Sequence, residues 1–255
     1  MSQSPSRTTF WTRLIGEFLV IVVGVLVALG VDNWAGAASD RRLEREYLER
    51  LLEDVQSDLL QYDFVADVSA AGTAHVDSLL SPGLINELEP DRLVGAVFIA
   101  YRVRGPAPAR PTFQELVSSG RIGLIRSRAV RTALVEYEEA IAQTEGYWED
   151  VTSPLADWVR SRVPPSVEQA WNDACGEVRS VGDLTKQAMI ACPFDLRDWD
   201  AGQLRRDLQT AEARSHLTLH WWRHYYGRGV VAAVREAAVS LRDALKTELG
   251  EGAAS

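Results

Sequence analysis

The segment LIGEFLVIVVGVLVALGV, Leu14–Val31, decides the fold because it is long and almost entirely apolar. It contains 18 residues and a single charge, Glu17. At a rise of ~1.5 Å per residue, a helix of this length covers about 27 Å, close to the hydrocarbon thickness of a bilayer. Its length argues against a buried strand, since strands seldom exceed about ten residues. The sequence therefore predicts a transmembrane helix over residues 14–34, with Trp11 and Trp34 near its ends.

A cleaved signal peptide is the alternative interpretation of this segment, because Ala35-Gly36-Ala37 resembles a small-x-small cleavage site. However, the apolar run exceeds the roughly 7–15 residues of a signal peptide, and Glu17 interrupts its start. We therefore expect an uncleaved signal anchor. Residues 1–13 then form a short cytoplasmic tail, and residues 35–255 form an extracytoplasmic domain, periplasmic or extracellular, on a bacterial inner membrane.

This orientation follows from the layout of the chain and not from its charges. Arg7 and Arg13 precede the apolar run, whereas four arginines mixed with acids follow it, so the count of basic residues does not favour a cytoplasmic N-terminus. A short tail before a long apolar helix is nevertheless the usual layout of a signal anchor.

Glu17, Gly24 and Ala28 are candidates for packing between membrane helices. Gly24 and Ala28 form a small-xxx-small pair, and Glu17 lies on roughly the same helix face. A carboxylate inside a membrane helix is a functional candidate, because an unpaired charge in lipid costs several kcal/mol. The alternative is an interfacial carboxylate on a monomeric anchor, since Glu17 is close enough to the end of the helix to reach the headgroups.

The remainder of the chain has the periodicity of helices. Apolar residues recur every three or four positions between residues 39 and 70, namely Leu48, Leu52, Val55, Leu59, Tyr62 and Ala66. This pattern is typical of an amphipathic helix or a coiled-coil seam. We expect the helix to follow the anchor directly, with a break or bend near Gly36. The chain's own later helices, or else a partner chain, would cover the apolar stripe.

Further helices are expected downstream, and no segment has a convincing strand period. The predicted boundaries are Pro90–Val103, a short helix capped by Thr112 with Glu115 and closed by Gly120, Arg128–Asp150, Leu204–Tyr226 interrupted at Gly227 and Gly229, and Val230–Leu249. Residues 151–200 contain four prolines and are expected to form an irregular insert. The predicted fold is therefore all-α: one transmembrane helix followed by a helical bundle.

The chain contains two cysteines, Cys175 and Cys192, which lie 17 positions apart in the irregular stretch. They form no CxxC pair and have no zinc-finger spacing to a histidine. If the domain is outside the cytoplasm, a disulfide is the natural interpretation, and it would stabilise the fold by roughly 3 kcal/mol through loop closure. Two unrelated thiols are the alternative.

Charge and motifs limit the possible functions. The formal net charge of -9 argues against binding to nucleic acid, which requires a basic surface. The sequence offers no dinucleotide, P-loop or serine-hydrolase motif, so we assign no catalytic residue and no cofactor. His216, His220 and His224 are spaced by four and could ligate a metal, although their positions drift around the helix. A solvated or interfacial histidine ridge is the favoured interpretation.

Three stretches resemble an uncharacterised bacterial family, domain of unknown function 6090. They are GEFLVIVVGVLVALGVDNW (Gly16–Trp34), YLERLLEDVQSDL (Tyr47–Leu59) and TFQELVSSGRIGLIRSRAVRTALVEY (Thr112–Tyr137). The resemblance covers under half of the chain. It implies a membrane-anchored helical protein without an assigned activity.

Three functions are compatible with these observations. The first is a structural or protein-interaction role in the cell envelope, in which the bilayer anchors the chain and the partner is another copy or an envelope protein. The second is an oligomeric sensory or channel-like protein that uses Glu17. The third is a metal-dependent enzyme built on the three histidines, and an enzymatic role is the least favoured.

Overall fold

The computed structural model describes residues 7–102, 105–149, 153–175 and 192–250. These ranges contain nine α-helices, one short 3-10 helix and no strand, which confirms the all-α prediction. The helices are α1 Arg7–Leu80, α2 Pro82–Glu87, α3 Pro90–Tyr101, α4 Pro111–Ser118, α5 Arg128–Glu149, α6 Pro154–Arg160, α7 Pro165–Cys175, α8 Gly202–Leu208 and α9 Ala211–Leu249, with the 3-10 helix at Arg121–Leu124.

Helix α1 is a single continuous element of 74 residues, about 110 Å long at ~1.5 Å per residue. Of the break or bend expected near Gly36, the break is wrong, because α1 continues through this residue. A helical glycine costs only about 1 kcal/mol relative to alanine, and the strong helix formers Ala35, Ala37 and Ala38 surround it. The apolar N-terminal segment is therefore continuous with the helix that enters the core.

Helices α1 and α9 pair in an antiparallel arrangement along most of the domain. At one end, Arg45 donates to the carbonyl oxygen of Leu249 over 3.3 Å. At the other end, Arg214 donates to the carbonyl oxygen of Leu80 over 2.9 Å. The apolar stripe of α1 is therefore covered by the chain's own helices, as expected, and α9 ends beside the base of the domain.

Two hydrophobic cores lie along this helix pair. The first core contains Tyr47–Val65 of α1 with α4, α5 and the C-terminal half of α9. The second core contains the end of α1 with α2, α3, α6, α7, α8 and the N-terminal half of α9. Helix α3 is buried on all sides from Leu93 to Tyr101. This explains its nearly continuous apolar sequence, since a helix that is hydrophobic all round is a core helix.

Several predicted boundaries are wrong. Helix α9 is not interrupted at Gly227 or Gly229, since a single glycine is tolerated where long neighbouring helices hold the backbone. The predicted irregular insert, residues 151–200, contains α6 and α7; prolines at the first position of each begin these helices without breaking them. Thr112 is not the cap of α4, because Pro111 begins this helix. Gly120 does follow α4 in a left-handed conformation, at a φ of 68°.

Cys175 and Cys192 form a disulfide, as predicted, with a distance of 5.8 Å between their Cα atoms. Cys175 is the last residue of α7 and is buried in the second core. The bond therefore attaches the segment that leads into α8 to a buried helix. Residues 176–191 between the two cysteines lie outside the described residues.

Candidate functional site

Among the described residues, no other element packs against the apolar part of α1. The helix contains an 18-residue window with a mean hydropathy of 1.4, of which no residue is buried, so by length and composition it is able to cross a membrane. Leu26 is 62 % exposed and Trp34 is 70 % exposed. A Cβ placed on Gly24 would contact nothing, so this predicted packing face, which includes Ala28, is open. The side chain of Glu17 lies outside the described residues.

A short segment, residues 105–110, which we call the strap, lies along one face of α1. The amide of Ala109 donates to Asp58 Oδ1 over 2.8 Å, and the amide of Ala107 donates to Gln61 Oε1 over 3.3 Å. Directly after the strap, the amide of Thr112 donates to Asp54 Oδ2 over 3.2 Å. Polar side chains at three- and four-residue spacing thus bind the backbone of a segment that has no helical hydrogen bonds of its own.

Asp58 is the centre of a buried polar network beneath the strap. Tyr137 on α5 donates its hydroxyl proton to Asp58 Oδ2 over 2.7 Å. Because that proton is used, the 2.9 Å bond between the two tyrosine oxygens is donated by Tyr62. All three side chains are at least 98 % buried. The two bonds between side chains are therefore buried and join α1 to α5, and the part-buried bond from Ala109 adds the strap.

Burial raises the pKa of all three groups in this network. Desolvation raises the pKa of the Asp58 carboxyl, against the lowering effect of the bond from Tyr137. It also raises the pKa of the Tyr62 and Tyr137 hydroxyls, so both stay protonated as the bonding pattern requires. Arg110, the last residue of the strap, forms ion pairs with two residues of α5, Glu138 over 3.1 Å and Glu145 over 2.9 Å.

A second polar cluster joins α1 to α4 and to the residues just before α5. Glu115 of α4 accepts from the Tyr47 hydroxyl over 2.8 Å and from Arg50 over 2.6 Å. These bonds hold the pKa of Glu115 below its ordinary value. In addition, Glu44 accepts the backbone amide of Arg126 over 2.6 Å. Two of the stretches that resemble the family, Tyr47–Leu59 and Thr112–Tyr137, are therefore in direct contact through polar and charged side chains.

Two histidines of α9, His220 and His224, lie at interfaces between helices, so the solvated form of the predicted solvated or interfacial ridge is wrong for these two residues. His220 and His224 are fully buried, and Gly72 of α1 leaves room for the ring of His224. The Nε2 atom of His224 donates to the carbonyl oxygen of Ala100 over 2.9 Å, and Nε2 of His220 lies 3.0 Å from the hydroxyl of Ser153. Together with Ser69 and Thr73, both also buried, these rings form a polar layer between the two cores.

No group of three His, Cys, Asp or Glu residues in the described ranges could hold a metal ion. In His224, Nε2 must carry a proton because a carbonyl oxygen only accepts. In His220, Nε2 is bonded to Ser153. The third member of the predicted set, His216, is half-buried. The structure thus assigns His220 and His224 to contacts between α9 and the neighbouring elements.

We expect the two buried histidines to make the fold sensitive to acid. Burial lowers the pKa of His220 to about 3 and also lowers that of His224. Between the ordinary pKa of about 6.5 and these values the unfolded chain binds more protons than the folded chain. The free energy of unfolding is therefore unaffected by the protonation of these histidines above about pH 6.5. Below that pH it falls, by up to about 1.4 kcal/mol per pH unit for each histidine.

This expectation is tested by denaturant unfolding of the purified protein at pH 7.5 and pH 5.5. The variant His220→Gln is expected to lose less stability than the wild type over this interval. His216→Gln is the matched control, because that side chain is only half-buried on the same helix. Equal losses of stability in the wild type and His220→Gln would contradict the prediction.

The outer surface of α9 carries an exposed aromatic patch, which we define as Trp221, Trp222, Tyr225 and Tyr226. Trp221 stacks on Tyr225 and Trp222 stacks on Tyr226, with ring centroids 5.2 Å and 5.4 Å apart. Three of the four rings are strongly exposed, at 44 % for Trp222, 46 % for Tyr225 and 57 % for Tyr226. An open groove of about 770 Å³ adjoins them, lined by Tyr147, Tyr225, Tyr226, Arg228, Gly229 and Val230.

Comparison with known families shows which part of this architecture matches a family model. The model of a family of unknown function, DUF6090, matches residues 17–147, just over half of the chain. The chain belongs to this family. No match was found among curated proteins or among solved structures.

The DUF6090 segment contains both polar clusters but not the whole fold. It begins in the apolar part of α1 and ends near the end of α5, so it includes the strap, Asp58, Tyr62 and Tyr137. The disulfide, the buried histidines and the aromatic patch lie outside it. In this DUF6090 protein, α9 therefore completes a core that the family segment builds only in part.

The buried network of the DUF6090 segment was missed by the sequence analysis, although a signal was present. Asp58 lies three residues after Val55 and four before Tyr62, so it occupies the buried face of the helical repeat. A carboxylate in such a position requires partners, because burying an unpaired charge is costly. Its partners, in the strap and α5, are more than 50 positions away and could not be read from local spacing.

Proposed function

We propose that this DUF6090 protein is a membrane-anchored interaction protein of the bacterial cell envelope, with its N-terminus in the cytoplasm and its helical domain outside. The observation that carries this proposal is the continuity of α1. One unbroken helix contains an exposed apolar segment and then becomes the central helix of a folded domain. The bilayer is the environment that would cover the exposed segment.

The exposure pattern along α1 supports the anchor. Nine large apolar side chains of this segment are exposed: Phe18, Leu19, Val22, Val23, Val25, Leu26, Val27, Leu29 and Val31. In water this surface would be unfavourable by roughly 25 cal/mol per Å² of apolar area. Buried apolar residues begin only at Tyr47, where α9, α4 and α5 cover the helix. Along one continuous helix, exposed apolar side chains suited to lipid are thus followed by apolar side chains buried against protein.

The disulfide supports an extracytoplasmic domain. Disulfides persist in oxidising compartments and are rare in the bacterial cytoplasm. The Cys175–Cys192 bond joins a core helix to the segment before α8, so it is part of the folded domain. A domain outside the membrane, joined to an N-terminal anchor, places the N-terminus inside.

The accessible features favour binding over catalysis. Within each polar cluster the side chains are hydrogen-bonded to other protein groups, and Asp58 is only 1 % exposed. The Nε2 atoms of His220 and His224 are bonded to protein groups. By contrast, the aromatic patch presents tryptophan and tyrosine rings to the outside, which is the composition of protein-binding hot spots.

The anchor is tested by a matched pair of substitutions on α1. Leu26→Arg places a charge in the apolar segment, at a cost of about 3 kcal/mol near the centre of a bilayer. Leu60→Arg is the control, because Leu60 is 63 % exposed on the same helix and Leu26 is 62 % exposed. We expect Leu26→Arg to lose most of its membrane fraction in cell fractionation, whereas Leu60→Arg stays membrane-bound. Equal fractionation of the two variants would contradict the anchor.

The orientation is tested in the same cells with a reporter fused after Ser255 that is active only outside the cytoplasm. We expect activity in the wild-type fusion and reactivity of the cysteines with a thiol reagent only after reduction. An inactive fusion, together with cysteines that react without reduction, would place the domain in the cytoplasm and overturn the proposed location.

A further inference from the structure

We propose that the aromatic patch and its adjoining groove bind an acidic peptide segment of a partner protein. This inference deepens the proposed interaction role, on which it rests, by naming the surface and the chemistry of its partner. Exposed aromatic rings are the first observation. Tyrosine and tryptophan bury about 150–250 Å² each, so covering the strongly exposed rings would remove a large apolar area from water.

The rings are already held in place before a partner arrives. Each stacks against a neighbour one helical turn away, and Trp221 also meets Trp222 edge-on at 5.0 Å. On the adjacent helix, the Tyr147 hydroxyl donates to the carbonyl oxygen of Arg223 over 3.0 Å and fixes one wall of the groove. Side chains with few remaining rotamers lose little entropy on binding, which favours affinity.

The segment of α9 that carries the patch is basic, although the chain as a whole is acidic. The protein has 36 acidic and 27 basic residues, yet α9 carries no carboxylate between Glu212 and Glu236. Four arginines lie in that interval, at positions 214, 223, 228 and 235, of which Arg235 pairs with Asp63 and Arg214 donates to the carbonyl oxygen of Leu80. Arg228 is the one that lines the groove. Arg228 lies over the Tyr225 ring at 6.0 Å and forms no ion pair with a described carboxylate. A basic and aromatic surface on an acidic protein is complementary to an anionic, partly apolar partner.

The groove has the dimensions of a binding site for a few side chains. Its volume of about 770 Å³ lies within the range of ligand sites, roughly 300–1,000 Å³. Gly229 and Arg228 both line the groove. Gly229 has no side chain to fill it, and Arg228 contributes a positive charge. An acidic side chain could pair with Arg228 while an apolar neighbour packs on Tyr225 and Tyr226.

Other anionic or symmetric occupants fit the position less well. A second copy would bring the same arginines face to face, which opposes association. The headgroups of the chain's own membrane are too far away, because the patch lies at the level of Gly72, which contacts His224. From Trp34 to Gly72 the helix rises about 57 Å. The net charge of -9 opposes nucleic acid.

The test is a selection of random displayed dodecapeptides on the detergent-solubilised full-length protein. We expect the enriched peptides to combine Asp or Glu with aromatic or aliphatic residues. A labelled enriched peptide should bind Trp222→Ala and Arg228→Glu at least tenfold more weakly than the wild type. Arg92→Glu and Leu60→Ala are matched controls at exposed positions elsewhere and should bind as the wild type does.

Two outcomes would overturn this proposal. One is enrichment of basic or neutral peptides, or binding that is unchanged in both patch variants. The other is efficient formation of a disulfide dimer by Tyr226→Cys in native membranes, which would show that a second copy covers the patch; the two native cysteines are bonded to each other and would not interfere. Neither result bears on the fractionation of Leu26→Arg, so failure of this inference is distinguishable from failure of the anchor.

Discussion

Replacement of Asp58 by alanine is expected to lower the free energy of unfolding by about 3 kcal/mol or more. The change removes the acceptor of the Ala109 amide and of the Tyr137 hydroxyl, and the hydroxyl then remains buried without that partner, whereas Ala109 is exposed. A buried donor that loses its partner costs about 1–3 kcal/mol, and a small cavity adds to the loss. Denaturant unfolding of the solubilised protein measures the effect.

Asp63→Ala is the matched control for this prediction. Asp63 lies on the same helix and pairs with Arg235 over 2.6 Å, but both side chains are about half exposed. Exposed ion pairs contribute about 1 kcal/mol or less, so the control is expected to have a small effect. Hydrogen exchange adds a local measurement, since the amides of Ala107 and Ala109 should exchange faster in Asp58→Ala. Equal destabilisation by the two variants would refute the structural role of the network.

The variant Asp58→Asn tests whether the hydrogen bonds of Asp58 or its charge stabilise the fold. An asparagine retains an acceptor for the Ala109 amide and can donate to the Tyr137 oxygen after that hydroxyl turns. Because burial raises the pKa of Asp58, the folded state already disfavours its charge. We therefore expect Asp58→Asn to recover most of the stability that Asp58→Ala loses.

The second large effect is expected at Gly72, which lies directly against the ring of His224 on α9. A Cβ placed on this residue would lie within 3 Å of three ring atoms of His224. In an open helix, Gly→Ala stabilises by about 1 kcal/mol. Here we expect the opposite sign, a loss of about 3 kcal/mol, because the buried ring is bonded to Ala100 and cannot move away.

Gly229→Ala is the control for this substitution, since a Cβ on Gly229 meets nothing within 4 Å. It should be neutral or slightly stabilising. A double variant, Gly72→Ala with His224→Ala, should be less destabilised than the sum of its single substitutions, because the smaller side chain makes room for the new methyl group. Thermal unfolding of the four proteins provides the comparison. A stabilised Gly72→Ala would mean that the helices are not in contact at this point.

The parts of the fold that depend on composition and local spacing could be predicted from the sequence. The apolar run of α1, the 3-4 repeat after it and the glycine that ends α4 are all local signals. The disulfide could be predicted because the chain has only two cysteines. The family resemblance was confirmed by the match over residues 17–147.

The sites could be predicted less well, because they depend on contacts between distant segments. The histidines were expected to form a solvated or interfacial ridge, and local spacing could not decide between the two, because Gly72, about 150 positions earlier, provides the space that buries His224. The role of Asp58 depends on a strap whose prolines remove it from any helical register. The break expected at Gly36 did not occur, since neighbouring residues and tertiary packing outweigh the weak propensity of one glycine.

The antiparallel return of α9 has a mechanical consequence for a chain anchored as we propose. The turn after Leu80 lies farthest from the bilayer, whereas Leu249 lies beside Arg45 at the base. A tensile force applied at that far turn passes to the bilayer along α1 alone, through its own backbone hydrogen bonds. The same force applied at Leu249 would instead pull α9 away from α1 one turn at a time, beginning at the base.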